Sequence, residues 1–257
     1  MRRVVSHHWI PLLAAVVGLL GWAWLTVGGD DANKIDDRGD LEQGLAFAAR
    51  LLGPVMPQAA QYAIAHPTGS RVDLHSSPDG GVIARLGDRT DFGSQRTFLV
   101  VRTRGDWLGV VAPELPNGRL GWLKRGSGQI ALSETSLSIH VDLSGRTLEV
   151  RQGGDVIHRA SVSIGRAGHS TPVGLFSLTD ALAGRSLGPW YGCCALATSG
   201  HQRSLPPGWV GGDRIAIHGT PGSVGGAVST GCLRTTNRDM VALFSMMPLG
   251  APVFIRQ

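Results

Sequence analysis

Charged side chains are scarce in this chain, and lysine is nearly absent. Only 17% of the 257 residues are charged, lysine occurs only at Lys34 and Lys124, and the formal net charge is +5. No stripe of lysine or arginine interleaved with aromatic residues runs along the sequence, so we predict no nucleic-acid partner. The mild positive charge suits a polyanionic cell wall or a membrane surface.

Cysteine is also rare, with three residues in the chain. No Cys-x-x-Cys pair is present, which argues against a thiol oxidoreductase. If a disulfide exists, we expect Cys232 to stay free; a bridge between the adjacent Cys193 and Cys194 is strained, so two buried thiols are the alternative. A zinc site is disfavoured because no ligand pair has the spacing of structural zinc motifs; its candidate ligands are Cys193, Cys194, His201 and His218. We therefore predict no metal site, and no organic cofactor is implied.

Glycine and proline, in contrast, are abundant, with 37 and 14 residues. This composition favours many turns and short strands over a helical bundle. The length leaves room for two domains. We predict a mainly β fold in which a small barrel precedes a second β-rich domain with one short C-terminal helix.

The longest apolar run lies at the N-terminus. Arg2 and Arg3 precede an uncharged stretch from Trp9 to Gly29, whose length is close to the ~20 residues that span a bilayer. Tryptophans lie near its two ends, as interfacial anchors do. We predict that residues 1–29 form an uncleaved transmembrane anchor with a cytoplasmic N-terminus and an extracytoplasmic catalytic domain. A cleaved signal peptide, giving a secreted protein, is the alternative, but no good Ala-x-Ala site follows the run.

Residues 30–61 are predicted to be a linker with a short helix, and residues 62–132 a small barrel. Turn sequences separate five strand-like segments: Val72–His75, Val82–Leu86, Phe98–Arg102, Trp107–Val111 and Leu120–Lys124. Their order, with Arg104-Gly105-Asp106-Trp107 and Gly121-Trp122-Leu123, resembles a bacterial SH3 (SH3b) domain. This resemblance implies wall-peptide binding; the alternative is a spacer whose tryptophans fill its core.

Residues 137–257 are predicted to form the β-rich catalytic domain. Ser144-Gly145 indicates a hairpin between strands at Leu137–Leu143 and Arg146–Arg151, and a third strand is predicted at Val156–Ile164. Near the C-terminus a cap pairs Thr236 with Asp239. An apolar helical face follows, and a final strand closes the chain: Met240, Val241, Leu243, Phe244 and Met247, then Val253–Ile255.

The stretch from Ile215 to Arg234 carries the chemistry-bearing residues: IAIHGTPGSVGGAVSTGCLR. Alternation at its start predicts the end of a buried strand just before His218. A glycine-rich loop follows, and Ser229-Thr230-Gly231 presents Cys232 from a tight bend. Cysteine attacks as the thiolate, so catalysis requires an imidazole close enough to take its proton. The alternative is an inert buried cysteine and a core histidine.

This stretch resembles the active-site motif of the L,D-transpeptidase (YkuD-type) family, in which His-Gly-Thr precedes a glycine-rich loop and Ser-x-Gly-Cys, an apolar residue and Arg. Here those elements are His218-Gly219-Thr220 and Ser229-Thr230-Gly231-Cys232-Leu233-Arg234. Thr230 stands where many members have histidine or lysine, a departure that concerns the cleft wall. Thr171-Pro172-Val173-Gly174-Leu175-Phe176 also resembles the family, and a structural role is predicted for it.

The resemblance implies a peptidoglycan L,D-transpeptidase that forms 3-3 cross-links between stem peptides. Cys232 would be the nucleophile and His218 the general base and then acid, oriented by the backbone carbonyl of Gly219. The amides of Gly231 and Cys232 are expected to hold the oxyanion. Arg234 is expected either to bind a substrate carboxylate or to brace the loop.

Thr179 to Gly212 is long, rich in glycine, proline and aromatic residues, and without periodicity, so it is predicted to be a loop. In the family, insertions at this point cover the cleft, which implies a substrate-contacting lid with Trp190 and Tyr191. A surface loop with its own aromatic cluster is the alternative. Ser229 and Thr230 complete the predicted substrate-binding set, although Ser229 is expected mainly to shape the turn.

The sequence leaves the acceptor open, because the same nucleophile transferring to water would make an L,D-carboxypeptidase. A non-enzymatic wall-binding protein is the alternative from another class. The resemblance also implies covalent inhibition by carbapenems. We expect Cys232 to react in preference to Cys193 and Cys194, because His218 and the glycine-turn amides are expected to lower its pKa.

Overall fold

The structure, a computed structural model, describes residues 61–257. The predicted anchor at residues 1–29 and the predicted linker up to residue 60 lie outside the described residues. Within residues 61–257, no helix combines the length and the apolar character needed to cross a membrane. The described part of the chain is mainly β with one short α-helix, which confirms that part of the predicted fold class.

Residues 62–135, called the first domain below, form a seven-stranded antiparallel sheet in the order β3-β2-β6-β5-β4-β1-β7. Its strands are β1 (Tyr62–Pro67), β2 (Arg71–His75), β3 (Val82–Gly87), β4 (Phe98–Arg104), β5 (Trp107–Val110), β6 (Gly121–Lys124) and β7 (Ile130–Thr135). All five predicted strands are present. The sequence pattern missed β1 and β7, which pair with each other along their whole length. Most of β7 is exposed on both faces, so it lacks the alternation that marks a half-buried strand.

The core of the first domain is built from aliphatic side chains and one phenylalanine, Phe98. Trp107 and Trp122 are also buried, with 8% and 7% exposure. Each lies under a cation, Lys124 over Trp107 and Arg104 over Trp122, both 5.7 Å from the ring centroid. The two tryptophans therefore contribute to packing rather than presenting an aromatic surface. The resemblance to an SH3b domain stays a prediction.

The second sheet has eight strands in the order β10-β9-β8-β17-β12-β13-β14-β16. Its strands are β8 (Leu137–Asp142), β9 (Thr147–Gln152), β10 (Asp155–Ser161), β12 (Gly174–Ala183), β13 (Cys194–His201), β14 (Arg214–Thr220), β16 (Leu233–Thr236) and β17 (Pro252–Arg256). A separate parallel pair is formed by β11 (Ile164–Gly165) and β15 (Ala227–Ser229), and helix α1 spans Asn237–Met246. Most pairings are antiparallel, but β17 runs parallel to β8 and β14 parallel to β16. One aliphatic core lies between the sheet and α1.

The hairpin predicted at Ser144-Gly145 is confirmed, since β8 and β9 pair in register on either side of it. The third predicted strand, Val156–Ile164, is wrong at its C-terminal end. Strand β10 stops at Ser161, and the chain then leaves the sheet edge to form an isolated bridge between Ser163 and Arg234. This bridge connects the segment after β10 to Arg234, two residues after the predicted nucleophile Cys232.

The prediction of one long loop from Thr179 to Gly212 is wrong for two of its parts. Residues 179–183 continue β12, and β13 runs through the sheet between β12 and β14. Seven of the eight β13 residues are buried, and the strand reads CALATSGH. A strand buried on both faces shows no alternation, and small residues dominate this one, so it gave no periodic signal.

The C-terminal helix and its cap are confirmed. The Thr236 hydroxyl accepts a 3.1 Å hydrogen bond from the Asp239 amide and donates one of 2.6 Å to its carboxylate. Met240 and Leu243 are fully buried against the sheet. Val241, predicted on the apolar face, is 55% exposed and lies off it. The predicted final strand is confirmed as the central part of β17.

Candidate active site

Two neighbouring parallel strands bring the histidine and the cysteine together. Strand β14 carries His218, and β16 begins at Leu233, directly after Cys232. The register pairs His218 with Arg234, so Cys232 lies at the same end of the sheet as the imidazole. Both residues line one pocket of about 280 Å³. The register between β14 and β16 therefore places His218 and Cys232 at one pocket.

The His218 imidazole is buried, with 3% exposure, and is held in one tautomer. Its Nδ1 lies 2.7 Å from the carbonyl oxygen of Gly219. A carbonyl only accepts, so Nδ1 carries the proton and Nε2 keeps a lone pair. Burial lowers the pKa of His218 to about 4, with a smaller contribution from Arg234 and partial opposition from the Gly219 bond. The ring is therefore a neutral base, and the predicted role of Gly219 matches its position.

The Cys232 thiol lies in a largely enclosed position. Its Sγ is 3.9 Å from the carbonyl oxygen of Arg214, to which the thiol can donate. Burial raises the pKa of Cys232, and a backbone hydrogen bond from Ala216 and the charge of Arg234 oppose this only in part. The expectation of a lowered pKa is therefore wrong. The resting site holds a thiol and a neutral imidazole in one pocket, and the proton must move during attack.

Ser229 shapes the turn that presents the cysteine. Its hydroxyl donates a 2.6 Å hydrogen bond to the carbonyl of Cys232 and accepts one of 3.1 Å from the Gly231 amide. Ser229 is fully buried, so its place among the substrate-binding residues is corrected to a structural one. Because the Gly231 amide is occupied by this bond, the expectation that it holds the oxyanion is also corrected. The Cys232 amide has no such partner among the described residues.

Gly231 adopts a backbone conformation that favours glycine. Its φ is +117°, and a Cβ at this position would collide with Nε2 of Gln202. The Gly231 carbonyl accepts a 2.9 Å hydrogen bond from the hydroxyl of Thr171, which also accepts one of 2.9 Å from the Gly165 amide. The structural role predicted for the Thr-Pro segment is thereby confirmed for Thr171.

Gln202 is a residue that the sequence reasoning missed. Its side chain is 7% exposed, and its Nε2 lies 3.2, 3.2 and 3.0 Å from the carbonyl oxygens of His169, Ser170 and Thr230. Gln202 thus connects the loop at residues 169–170 to the turn that presents Cys232, and it also lines the pocket. No local signal marks it, because the three carbonyls converge only in the folded chain.

The predicted substrate-binding residues other than Ser229 reach the pocket. Tyr191 packs its ring on the imidazole of His218, with centroids 4.8 Å apart and a tilt of 49°. Trp190 stands at the rim with 77% exposure. Thr230 lines the wall beside Cys232. The Nε of Arg234 is buried without a hydrogen-bond partner in the part of the chain that the structure describes.

Arg214, also missed from sequence, forms another wall of the pocket. Its guanidinium donates to the carbonyl of Thr198 at 2.9 Å through Nε and to the Thr179 hydroxyl at 2.6 Å. Its Nη2 lies 3.8 Å from the carboxylate of Asp180, which is fully buried. An opposite charge at this distance offsets part of the cost of burying both groups. These contacts fix the first residue of β14, Arg214, whose backbone carbonyl lies 3.9 Å from the thiol of Cys232.

The other two cysteines are free thiols, Cys193 half-buried and Cys194 buried. The Cys193 amide donates a 3.0 Å hydrogen bond to the side-chain oxygen of Asn237. Burial raises the pKa of Cys194 to about 12, with Cys193 adding to the effect. Among residues 61–257, no group of three or more His, Cys, Asp or Glu side chains is arranged to hold a metal ion.

A family model described as the YkuD L,D-transpeptidase catalytic domain matches residues 136–255. The chain is 33% identical over 119 residues to the YkuD protein of Bacillus licheniformis, covering 46% of this chain and 64% of that protein. It is 30% identical over 121 residues to YkuD of Bacillus subtilis, covering 46% and 65%. The matched part thus spans just under two thirds of these curated relatives. Among solved structures, that of Bdellovibrio bacteriovorus Bd1075 is 27% identical, covers 48% of each chain and has a TM-score of 0.37.

The family model matches the residues that carry both motifs, the Thr-Pro segment and the stretch from His218 to Arg234. The resemblance proposed from those motifs is thereby confirmed for this part of the chain. The comparisons support a YkuD-type L,D-transpeptidase catalytic domain at residues 136–255.

Proposed function

We propose that this chain is a peptidoglycan L,D-transpeptidase that forms 3-3 cross-links by acyl transfer through Cys232. The observation that carries the proposal is the pairing of Cys232 with a neutral, oriented His218 in one pocket. Nucleophile, base and base-orienting carbonyl together supply what acyl transfer requires. The alternative of an inert cysteine and a core histidine accounts for the burial of both residues but not for the pocket that both line.

In the first half-reaction, Nε2 of His218 takes the thiol proton as Sγ of Cys232 attacks a carbonyl carbon. That carbonyl belongs to the amide after the diamino acid of a tetrapeptide stem. The oxyanion accepts a hydrogen bond from the Cys232 amide. The carbon–nitrogen bond then breaks, the imidazolium gives its proton to the departing amine, and D-alanine leaves a thioester on the enzyme.

In the second half-reaction, the side-chain amine of a neighbouring stem attacks the thioester. His218 takes a proton from that amine, the carbon–sulfur bond breaks, and the sulfur regains a proton from His218. The new amide joins two diamino acids. In both half-reactions the imidazole of His218 first takes a proton and then gives it up. Burial keeps this imidazole neutral before each half-reaction, so it can act as the base in both.

Arg234 is proposed to bind a substrate carboxylate. Its Nε is buried and unpartnered among the described residues, and its side chain lines the pocket beside Cys232. A guanidinium presents paired donors that match a carboxylate. Trp190 and Tyr191 are proposed to contact the stem from the rim, and Thr230 from the wall.

Residues 1–29 are proposed to anchor the chain in the cell membrane, with the domains from residue 62 onward facing the cell wall. Full-length protein is then expected in the membrane fraction with Met1 or Arg2 retained. A mature N-terminus near Gly29 would instead identify a cleaved signal peptide. The first domain is proposed to resemble SH3b domains.

The direct test is mass spectrometry after incubation of the purified protein with a disaccharide tetrapeptide. A 3-3 dimer with release of D-alanine is expected. Disaccharide tripeptide alone would identify the L,D-carboxypeptidase, with water as acceptor. Cys232→Ala and His218→Ala are expected to abolish the dimer, whereas Cys193→Ala, a matched thiol variant, is expected to retain it. Dimer formation by Cys232→Ala would refute the mechanism.

A further inference from the structure

One of the contacts between the first domain and the catalytic domain is made by an asparagine, Asn117. The side-chain amide of Asn117 donates a 2.8 Å hydrogen bond to the carbonyl of His201 and accepts one of 2.8 Å from the His201 amide. Asn117 lies in the turn between β5 and β6, and His201 is the last residue of β13. A side-chain amide that bonds both backbone groups of one residue fixes its position as a strand neighbour does.

The imidazole of His201 is held by two further acceptors. Its Nε2 lies 2.6 Å from the carbonyl oxygen of Pro113, in the first domain, and its Nδ1 lies 2.9 Å from the carboxylate of Asp213. The two contacts lie on opposite sides of the ring and fix its orientation. Two residues of the first domain thus hold His201: Asn117 bonds its backbone, and the carbonyl of Pro113 contacts its ring.

The residue after His201 is Gln202, whose Nε2 contacts the carbonyl of Thr230 at 3.0 Å. Thr230 immediately precedes Gly231, and the turn packs so closely on Gln202 that a Cβ added at Gly231 would collide with Nε2 of Gln202. A continuous set of contacts therefore runs from Asn117 through His201 and Gln202 to the turn that presents Cys232. Coupling through contiguous contacts of this kind is testable by double-mutant cycles.

We infer that Asn117 is a positioning residue for the reaction, through which the first domain sets the geometry of the nucleophile turn. The inference rests on the proposed function and adds to it that the first domain is part of the active site's support, not only a tether or spacer. The amide of Cys232 and the thiol must be placed together, and small displacements of such groups have large effects on rate.

The test uses the full-length protein and four variants: Asn117→Ala, Gln202→Ala, the double variant, and Arg119→Ala. Arg119 is an exposed residue of the same turn with no side-chain hydrogen bond in the described structure, so it is the matched control. Thermal unfolding establishes that each variant is folded. We expect kcat to fall about tenfold in Asn117→Ala and about 100-fold in Gln202→Ala, with KM within about twofold.

The double variant is expected to be no slower than Gln202→Ala alone, because both changes break the same chain of contacts. Additive losses, or a wild-type kcat in folded Asn117→Ala, would overturn the inference. Hydrogen–deuterium exchange of peptides covering residues 229–234 gives a second readout, independent of activity. Exchange there is expected to rise in Asn117→Ala and not in Arg119→Ala.

The two hypotheses fail in different ways. If the wild type makes neither dimer nor tripeptide but exchange at residues 229–234 responds to Asn117→Ala, the proposed function is wrong and the mechanical link is supported. If the wild type is active and exchange at those residues is unchanged in Asn117→Ala, the inference is wrong and the proposed function stands.

Discussion

The Nδ1 proton of His218 is donated over 2.7 Å to the backbone carbonyl of Gly219, the residue that follows it in strand β14. The third member of the nucleophile–base arrangement is thus a backbone atom and not a carboxylate. A carbonyl orients the ring and selects the tautomer but supplies no full negative charge to stabilise an imidazolium. The Gly219 bond opposes the lowering of the His218 pKa only in part, so burial keeps this histidine neutral well into the acidic range.

The first prediction concerns the pH dependence of catalysis. Since burial lowers the pKa of His218 to about 4, the base is available down to that pH. We expect kcat/KM to show no loss attributable to this histidine between pH 7 and about pH 5. The measurement is the rate of D-alanine release across this range. An acid limb centred near the ordinary value of 6.5 would contradict the neutral, buried imidazole.

The second prediction concerns stability. Folded His218 takes its proton only near pH 4, whereas the unfolded chain takes it near 6.5. Between these values the unfolded state binds more protons, so the free energy of unfolding falls as the pH is lowered through that window. The contribution is about 3 kcal/mol at most. His218→Gln removes it.

Urea denaturation of the wild type and His218→Gln at pH 7.0 and pH 4.5 measures this contribution. The wild type is expected to lose more stability than the variant between the two conditions. Because both proteins share every other titrating group, the difference isolates His218. Equal losses would show that its protonation is not linked to folding.

The third prediction tests the glycine of the turn. In Gly231→Ala a methyl group meets Nε2 of Gln202 at a φ of +117°, so the turn must shift. Backbone strain of this kind costs on the order of 1–3 kcal/mol, and we expect turnover to fall by about 100-fold or more. Gly222→Ala is the control, because that glycine is exposed and has no positive φ. A wild-type rate in Gly231→Ala would show that the turn tolerates the shift.

The fourth prediction concerns carbapenems. Burial raises the pKa of both Cys232 and Cys194, so a low resting pKa cannot make Cys232 the preferred target. Selectivity must instead come from proton transfer to His218 and from the shape of the pocket. We expect one carbapenem adduct, on Cys232, that is lost in His218→Ala and in denaturant. Peptide mapping locates it, and a label spread over all three cysteines of the folded protein would contradict this.

Local sequence signals predicted the parts of the site that depend on short-range chemistry. The motif from His218 to Arg234 pointed to Cys232 and His218 through its resemblance to the family, and the Thr236–Asp239 pair identified the helix start. These features arise from residues a few positions apart, or from turn residues whose backbone preferences are strong.

The parts that the sequence did not reveal depend on contacts between distant segments. Strand β13 gave no pattern because it is buried on both faces and rich in small residues. Gln202 has a role only because three carbonyls from two separate segments, residues 169–170 and Thr230, meet at its amide. The direction of the Cys232 pKa shift depended on burial, which spacing along the chain does not measure.

Strands β14 and β16 are hydrogen-bonded to each other, and this pairing, with the turn at residues 229–231, sets the positions of base and nucleophile at the two ends of the loop that connects the strands. The tip of that loop, Pro221 to Ser223, is exposed and does not line the described pocket. Exposed tips of this kind accept added residues readily. A short epitope or fluorophore attachment sequence inserted between Gly222 and Ser223 would therefore label the enzyme close to its reaction centre while leaving the reacting atoms in place.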